Sequence, residues 1–476
     1  MRKLHIYAAS STLALAACFA ADHASAQTVY GGGSSFAALL YRQIADCVTV
    51  PIPGDTLPAV CGAGGTAGSI LYASVGSGAG RRAFEHNDGS TDANGFGTTP
   101  PATPPAYTTT NPGGSFPYSN FHFGGTDDPM SPTDVATYNA NAASKGGAII
   151  QIPTFAGPVA IIYNTTGRGS ATLNLTRQAL CGIFAGYITQ WNDPELTAAN
   201  PSIGSGQITV VHRHDGSGTT FLTTNALIAQ CKNVTGTKSS GSTTIVSYAF
   251  PYNVNGGTCP NVTGAAGDTM NWPDVGTVDT CGNAIPQPSG AVYTNATNSA
   301  GVAAAVVANT GYIGYVTNDW TLAYNASGGQ AANVQNQWGA ENPSGGNFIA
   351  PTPASASTGI SEAFATFDAT SVANPLAWSN QGLVPNPVNQ SSYPIVGFTW
   401  MEIYQCYSNT TSPGVLGTLQ SFLSFLYSGE GQGILAANGF TPVPGDSGTP
   451  GTWLGDTAYL ALNSSARWSA CASPGV

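Results

Sequence analysis

The chain predicts an α/β fold, and three observations carry that prediction. Short apolar runs rich in β-branched residues alternate with segments whose apolar residues recur at helical spacing, from residue 28 to about residue 438. Several of those runs end in glycines and hydroxyls and then turn helical, which is how a strand feeds a helix in such folds. Residues 27–476 are also enough chain for two lobes, and no internal repeat divides them.

In order, residues 28–30 read as a short strand ending in glycines 31–33 and Ser34-Ser35. Phe36, Leu39, Leu40, Ile44 and Cys47 then follow a helical period. Residues 69–74 (SILYAS) read as a strand running into Gly76-Ser77-Gly78-Ala79-Gly80. Residues from about 85 to 120, rich in Gly, Thr and Pro, read as an inserted irregular loop. A strand from residue 121 ends on Asp127-Asp128-Pro129. Residues 146–154 and 157–163 are two apolar strand-like runs, and a helix is expected over 176–184. Residues 207–211 form the next strand, then a tight loop, then a helix on the spacing of Phe221/Ile228 and Leu227/Cys231. Residues 233–289 are a second Ser/Thr/Gly-rich insertion. A helix over 298–308, a strand over 311–316, mostly loop over 330–353, a strand from 393 toward 405, and helices over 415–428 and 431–438 complete the reading.

Residues 1–26 read as a signal peptide: Arg2 and Lys3, an apolar run, and Ala24-Ser25-Ala26 before Gln27. Leu15-Ala16-Ala17-Cys18 also fits a lipoprotein box, so an anchored form at Cys18 is the alternative to a periplasmic or secreted one. No other stretch approaches the ~18 consecutive apolar residues of a membrane span. After cleavage eight cysteines remain, and an even count in an exported chain implies disulfides. Sequence leaves the connectivity open; neighbour pairing, Cys47 with Cys61, Cys181 with Cys231, Cys259 with Cys281 and Cys406 with Cys471, closes the smallest loops. No C-x-x-C pair supports a metal site, and no cofactor is expected.

Removing the leader leaves 10 basic against 22 acidic residues. Such a surface repels nucleic acid and anionic membranes, so any small anion must be held by a local arrangement of donors. The loop after residue 211 offers one. Ser217, Gly218 and Thr219 sit at a helix start, where backbone N–H groups lack intrahelical partners and carry the positive end of the dipole. Arg213 adds a fork of donors, and Asp215 is placed to hold it. The spacing is not that of a nucleotide P-loop, and no lysine lies between Lys145 and Lys232.

Four strand ends, carrying Ser35-Phe36, Ser77, Asp127 and Arg213-x-Asp215-Gly216-Ser217-Gly218-Thr219, together resemble the phosphate-binding proteins of bacterial phosphate ABC importers. Residues 152–160 (IPTFAGPVA), the Ile-Thr-x-Trp-Asn-Asp-Pro stretch at 188–194, Ile313-Gly314-Tyr315-Val316 and residues 393–399 resemble the same family in the same order. The match covers most of residues 29–444, and the Gly-rich opening resembles the secreted relatives called DING proteins. The resemblance implies a two-lobed, class II periplasmic-binding-protein-like fold with the ligand cleft between lobes. Lobe 1 would be residues 27–155 and 393–476, lobe 2 residues 156–392, with crossings near 154–158 and 387–394. By matched positions the phosphate ligands would be Ser35, the Phe36 amide, Ser77 and Asp127 from lobe 1, and Arg213, Ser217, Gly218 and Thr219 from lobe 2. The protein would then be a monomer that binds inorganic phosphate, with a phosphate permease as a further partner. Ser35 replaces the family's usual threonine, and Asp128 is a second carboxylate at the same turn. The insertions and the extension after Pro444 exceed the family core and bear on permease docking.

Other classes compete less well. Gly445-Asp446-Ser447-Gly448-Thr449-Pro450 resembles the nucleophile loop of trypsin-like proteases, but none of His86, His122, His212 and His214 has the matching surroundings. His212 and His214, flanking Arg213, read as packing or rim residues. A secreted phosphatase and an extracellular matrix or surface protein are the alternatives from other classes.

Overall fold

The computed structural model describes residues 28–52, 56–89, 121–169, 171–238, 242–250, 270, 272–273, 288–324, 329–342, 346–363, 375–376, 384–408, 414–443, 471 and 475–476. The leader, Cys18, Cys259, Cys281, most of the two insertions and residues 445–450 lie outside them. Fourteen strands are described. They are β1 (Thr28–Gly33), β2 (Ser69–Ser74), β3 (Phe123–Thr126), β4 (Ile149–Asn164), β5 (Asn174–Leu175), β6 (Thr209–Arg213) and β7 (Thr235–Thr237). Then come β8 (Ile245–Ser247), β9 (Val292–Ala296), β10 (Tyr312–Thr317), β11 (Gly329–Ala331), β12 (Asn333–Gln335), β13 (Phe348–Ile349) and β14 (Val396–Tyr404).

Nine of these make one sheet in the order β2-β1-β3-β14-β4-β10-β6-β9, with β11 also on β4. β1 runs parallel to β2 and β3, and β6 runs parallel to β9 and β10, so each end of the sheet is a parallel α/β unit. β4 joins them. Residues 149–158 pair with β14 and residues 159–163 with β10, both antiparallel. The two apolar runs expected at 146–154 and 157–163 are therefore one buried strand of 16 residues. Pro153, Gly157 and Pro158 fall within it, and the register shifts where Thr399 faces Phe155 and Trp400 faces Pro153, leaving Thr154 bulged. A bulge accommodates a proline that has no N–H to donate. The Thr154 hydroxyl donates to Thr399 O (3.0 Å) and bonds the Tyr41 hydroxyl (2.8 Å), tying the bulge to the first helix.

Helices Ala38–Val48, Ser77–His86 and Val415–Leu426 cover the β1 half, and Gly218–Cys231 and Asn298–Ala308 cover the β6 half. The core follows. Phe36, Tyr41, Phe155, Phe422 and Phe440 interlock under β1 and β4, while Val211, Val302, Val316 and Trp320 form a second cluster against β10. The region 330–353, expected as mostly loop, holds β11 to β13 and a short helix, Gln337–Glu341. Three disulfides are described, Cys47–Cys61, Cys181–Cys231 and Cys406–Cys471, each a neighbour pair. The last ties down the carboxyl terminus, where Val476 N also donates to Cys406 O (3.1 Å). No helix among the described residues is long and apolar enough to cross a membrane.

Candidate functional site

The carboxyl ends of β1, β2 and β3 lie together because these strands are parallel, and β6, which runs the opposite way in the other half of the sheet, brings its own carboxyl end to meet them. Glycines let the backbones close up. Gly33 has φ +131°, and a Cβ there would lie 2.1 Å from Gly125 O, so only glycine carries β1 into this turn. Gly80 sits against Gly32 and Gly33, which brings the start of helix Ser77–His86 onto β1.

Asp127 is buried at the end of β3. Its Oδ1 accepts hydroxyl protons from Ser34 (2.6 Å) and Thr399 (2.9 Å), and its amide donates to Ser77 Oγ (3.3 Å). Its Oδ2 is buried with no partner among the described residues. Burial pushes the carboxyl up to about 7, against the Ser34 and Thr399 hydrogen bonds and the charge of Arg213, which pull it down. The neighbouring Asp128 faces elsewhere: its carboxylate pairs with Arg81 (3.1 Å), which also binds Glu402 and Asp134. The carboxylate in the cleft is thus Asp127.

Arg213, at the end of β6, is held bidentately by Asp215, with Nε donating to Oδ1 at 2.7 Å and Nη2 to Oδ2. Its Nη1 donates to Ser35 Oγ (3.0 Å) and Ser299 Oγ (3.4 Å), and its amide donates to the Tyr315 hydroxyl (3.1 Å). Tyr315 is fixed in turn by Thr220 (2.7 Å). The second N–H of Nη2 still points beyond the ion pair, since a guanidinium carries five.

Helix Gly218–Cys231 starts directly against β3. A Cβ on Gly218 would come within 2.5 Å of Ser77 Oγ and 2.7 Å of the Asp127 backbone N, so the residue admits no side chain. Ser217 Oγ caps the helix by accepting from Thr220 N (3.2 Å), which leaves its own proton to donate. Thr219 Oγ1 is buried without a partner among the described residues, and the amides of Gly218 and Thr219 have no intrahelical acceptor. The Phe36 amide donates to Ser34 Oγ (2.9 Å), so for it to serve an anion that bond must be exchanged. All eight predicted ligand positions and Asp215 are therefore brought together: hydroxyl, amide and guanidinium donors around the Asp127 carboxyl, whose unpartnered oxygen is an acceptor when ionised. That set fits a tetrahedral oxyanion carrying one proton.

Four participants escaped the sequence reading. Ser34 and Thr399 orient Asp127, Ser299 contacts Ser35 and Arg213, and Trp272 comes from the second insertion. Trp272 is buried, its ring stacked on His212 (centroids 5.3 Å apart) and on Tyr315 (5.8 Å), and the nearby Met270 O accepts from Ser217 N (2.9 Å). Part of that insertion therefore supports the loop that carries the site. A lone tryptophan in a Thr/Gly-rich stretch was its signal. His212 packs and His214 is exposed at the rim.

A family model described as a PBP superfamily domain matches residues 20–430. A phosphate-binding protein from an unknown prokaryotic organism is 31% identical over 386 residues, 80% of this chain and 86% of that protein. Alkaline phosphatase L of Pseudomonas aeruginosa is 29% identical over 422 residues, 88% of this chain and 86% of that protein. Among solved structures, a high-affinity periplasmic phosphate-binding protein with bound phosphate matches with a TM-score of 0.57 at 27% identity, over 91% of this chain and 92% of that one. A phosphate-binding protein from Stenotrophomonas maltophilia matches with a TM-score of 0.56 at 25% identity, over 90% and 92% of the two chains.

Proposed function

The chain belongs to the PBP superfamily and to its phosphate-binding proteins, with their two-lobed α/β fold, and from that premise we propose that it binds one orthophosphate in the cleft described above. The observation that carries this reading is Asp127: a buried acceptor oxygen without a partner among the described residues, set amid donors. The donors suit an anion, and the acceptor suits one that still carries a proton. Lobe 1 is residues 27–155 with 393–476, and lobe 2 is residues 156–392, in keeping with β4 changing partners from β14 to β10 after residue 158. Ser35, Phe36, Ser77 and Asp127 then face Arg213, Ser217, Gly218 and Thr219 across the cleft, and binding closes it by hinge motion. The protein acts outside the cytoplasmic membrane as a monomer, for uptake through a permease or for scavenging.

The name of the Pseudomonas relative favours one second reading, phosphate-ester hydrolysis. The Ser34 hydroxyl, 2.6 Å from a carboxylate, is the group in the cleft placed to attack. Calorimetric titration with orthophosphate and an assay of p-nitrophenyl phosphate hydrolysis on one preparation decide between the readings. Stoichiometric binding without turnover is expected. Turnover abolished by Ser34→Ala would establish the enzyme instead.

A further inference from the structure

Helix Asn298–Ala308 brings to the cleft a hydroxyl that no motif singled out. Ser299 is fully buried, its Oγ lies 3.1 Å from Ser35 Oγ, and it accepts from Arg213 Nη1 at 3.4 Å. Ser35 follows β1, whereas Ser299 follows β9 and Arg213 ends β6, so these bonds join the two halves of the sheet. Asp215 fixes both contributors from the far half: Oδ1 accepts from Arg213 Nε (2.7 Å) and from the Asn298 amide (3.0 Å). Helix capping does not explain the serine, because the Asn298 side chain accepts from Gly301 N (3.0 Å) and leaves the Ser299 hydroxyl to the cleft.

We infer that Ser299 is a positioning residue that donates its proton to Ser35 Oγ and so aims the Ser35 hydroxyl proton at the bound anion, an inference that rests on the phosphate reading above. A hydroxyl oxygen has two lone pairs and one proton. At Ser35, Arg213 Nη1 occupies one lone pair and Ser299 the other, so the remaining direction belongs to the O–H. The opposite polarity, Ser35 donating to Ser299, would turn a lone pair toward the anion, and the anion's charge disfavours it. Ser299 thus makes Ser35 an obligate donor. Because the bond spans the cleft, it forms only when the halves close, and it slows opening.

A double-mutant cycle on the full mature protein tests this, with Ser299→Ala, Ser35→Ala and the pair titrated with orthophosphate by calorimetry and release followed by stopped flow. Losing one neutral hydrogen bond predicts affinity weaker by about three- to tenfold for Ser299→Ala, mostly as faster release. In the Ser35→Ala background the same change should add nothing, and Ser299→Thr, which keeps the hydroxyl, should restore binding. The melting temperature without phosphate should not move. Additive losses, wild-type affinity in Ser299→Ala, or a matching loss of stability without phosphate would each overturn the inference while leaving the phosphate reading intact. If the wild-type protein binds no orthophosphate, that reading fails first and this inference falls with it.

Discussion

Asp127→Asn should remove the protein's discrimination between phosphate and sulfate, and the structure gives both the size of the effect and its pH dependence. Burial raises the carboxyl from its ordinary value of 3.8 to about 7, so the neutral form persists up to that pH and the carboxylate prevails above it. A shift of that size corresponds to about 4 kcal/mol of preference for a neutral group at this position. Above pH 7 the carboxylate Oδ2 can accept the proton of monohydrogen phosphate, and no proton need be taken up. Sulfate brings none, so it binds only where the protein supplies one, and its affinity should fall up to about tenfold per pH unit above 7. From pH 7 to pH 9 that is up to about a hundredfold. Below pH 7 the protonated carboxyl can donate to sulfate, and the gap should shrink. An asparagine amide donates at every pH, so the variant should show a small, flat ratio. Competition titrations between pH 6 and 9 measure this. A wild-type ratio that does not change with pH, or an unchanged ratio in Asp127→Asn, would refute the reasoning, and Asp128→Asn, which alters a residue bound to Arg81, is the control expected to preserve selectivity.

Arg213→Ala should weaken orthophosphate binding by roughly 2–5 kcal/mol, since it deletes a buried charged partner and leaves Asp215 unpaired; calorimetry showing wild-type affinity would contradict the site. Wild-type affinity should depend only weakly on ionic strength, because the donors are local and buried, and a steep salt dependence would point to a diffuse basic patch. Gly218→Ala should sharply reduce affinity while leaving the unliganded fold intact, as the added methyl would press on Ser77 and Asp127; a variant that binds normally would show that the lobes need not approach so closely. Thiol titration of the denatured, unreduced protein from its native compartment should find no free cysteine, with Cys259 and Cys281 forming the fourth bridge.

What the sequence disclosed, and what it hid, follows from the physics of particular elements. The turn after β6 was legible because an apolar run, a Gly/hydroxyl loop and a helical period succeed one another within a few residues. β4 is legible only as two runs, because Pro153, Gly157 and Pro158 weaken the strand signal locally and only pairing with β14, far away in sequence, carries the strand through them with a bulge at Thr154. Helix Ser77–His86 was missed for a related reason. Its Ser-Gly-Ala-Gly start is poor in helix propensity, yet Gly80 is what allows the helix to touch β1, so the requirement of packing erased the local signal. Ser299 and Thr399 are single hydroxyls at ordinary strand and helix positions; their role is defined by which strands lie side by side, and no spacing reports that.

The remaining question is how a chain with so large an excess of acid holds an anion. Arg213 contributes little net charge to the cleft, since Asp215 already matches it, and Asp127 can only add negative charge. In the proposed site, attraction therefore comes from oriented neutral donors: the hydroxyls of Ser35, Ser77, Ser217 and Thr219 and the amides at a helix start. Such dipoles act over short distances, so they hold an anion only when it is surrounded. The surrounding is made by backbone meeting backbone, where Gly78 N donates to Gly216 O (3.0 Å), Gly76 lies against Asp215, and Gly218 lies against Asp127. Each contact joins the β1 half to the β6 half. On the proposed reading, affinity depends on closure, and these glycines are what let the two halves approach closely enough to surround the anion.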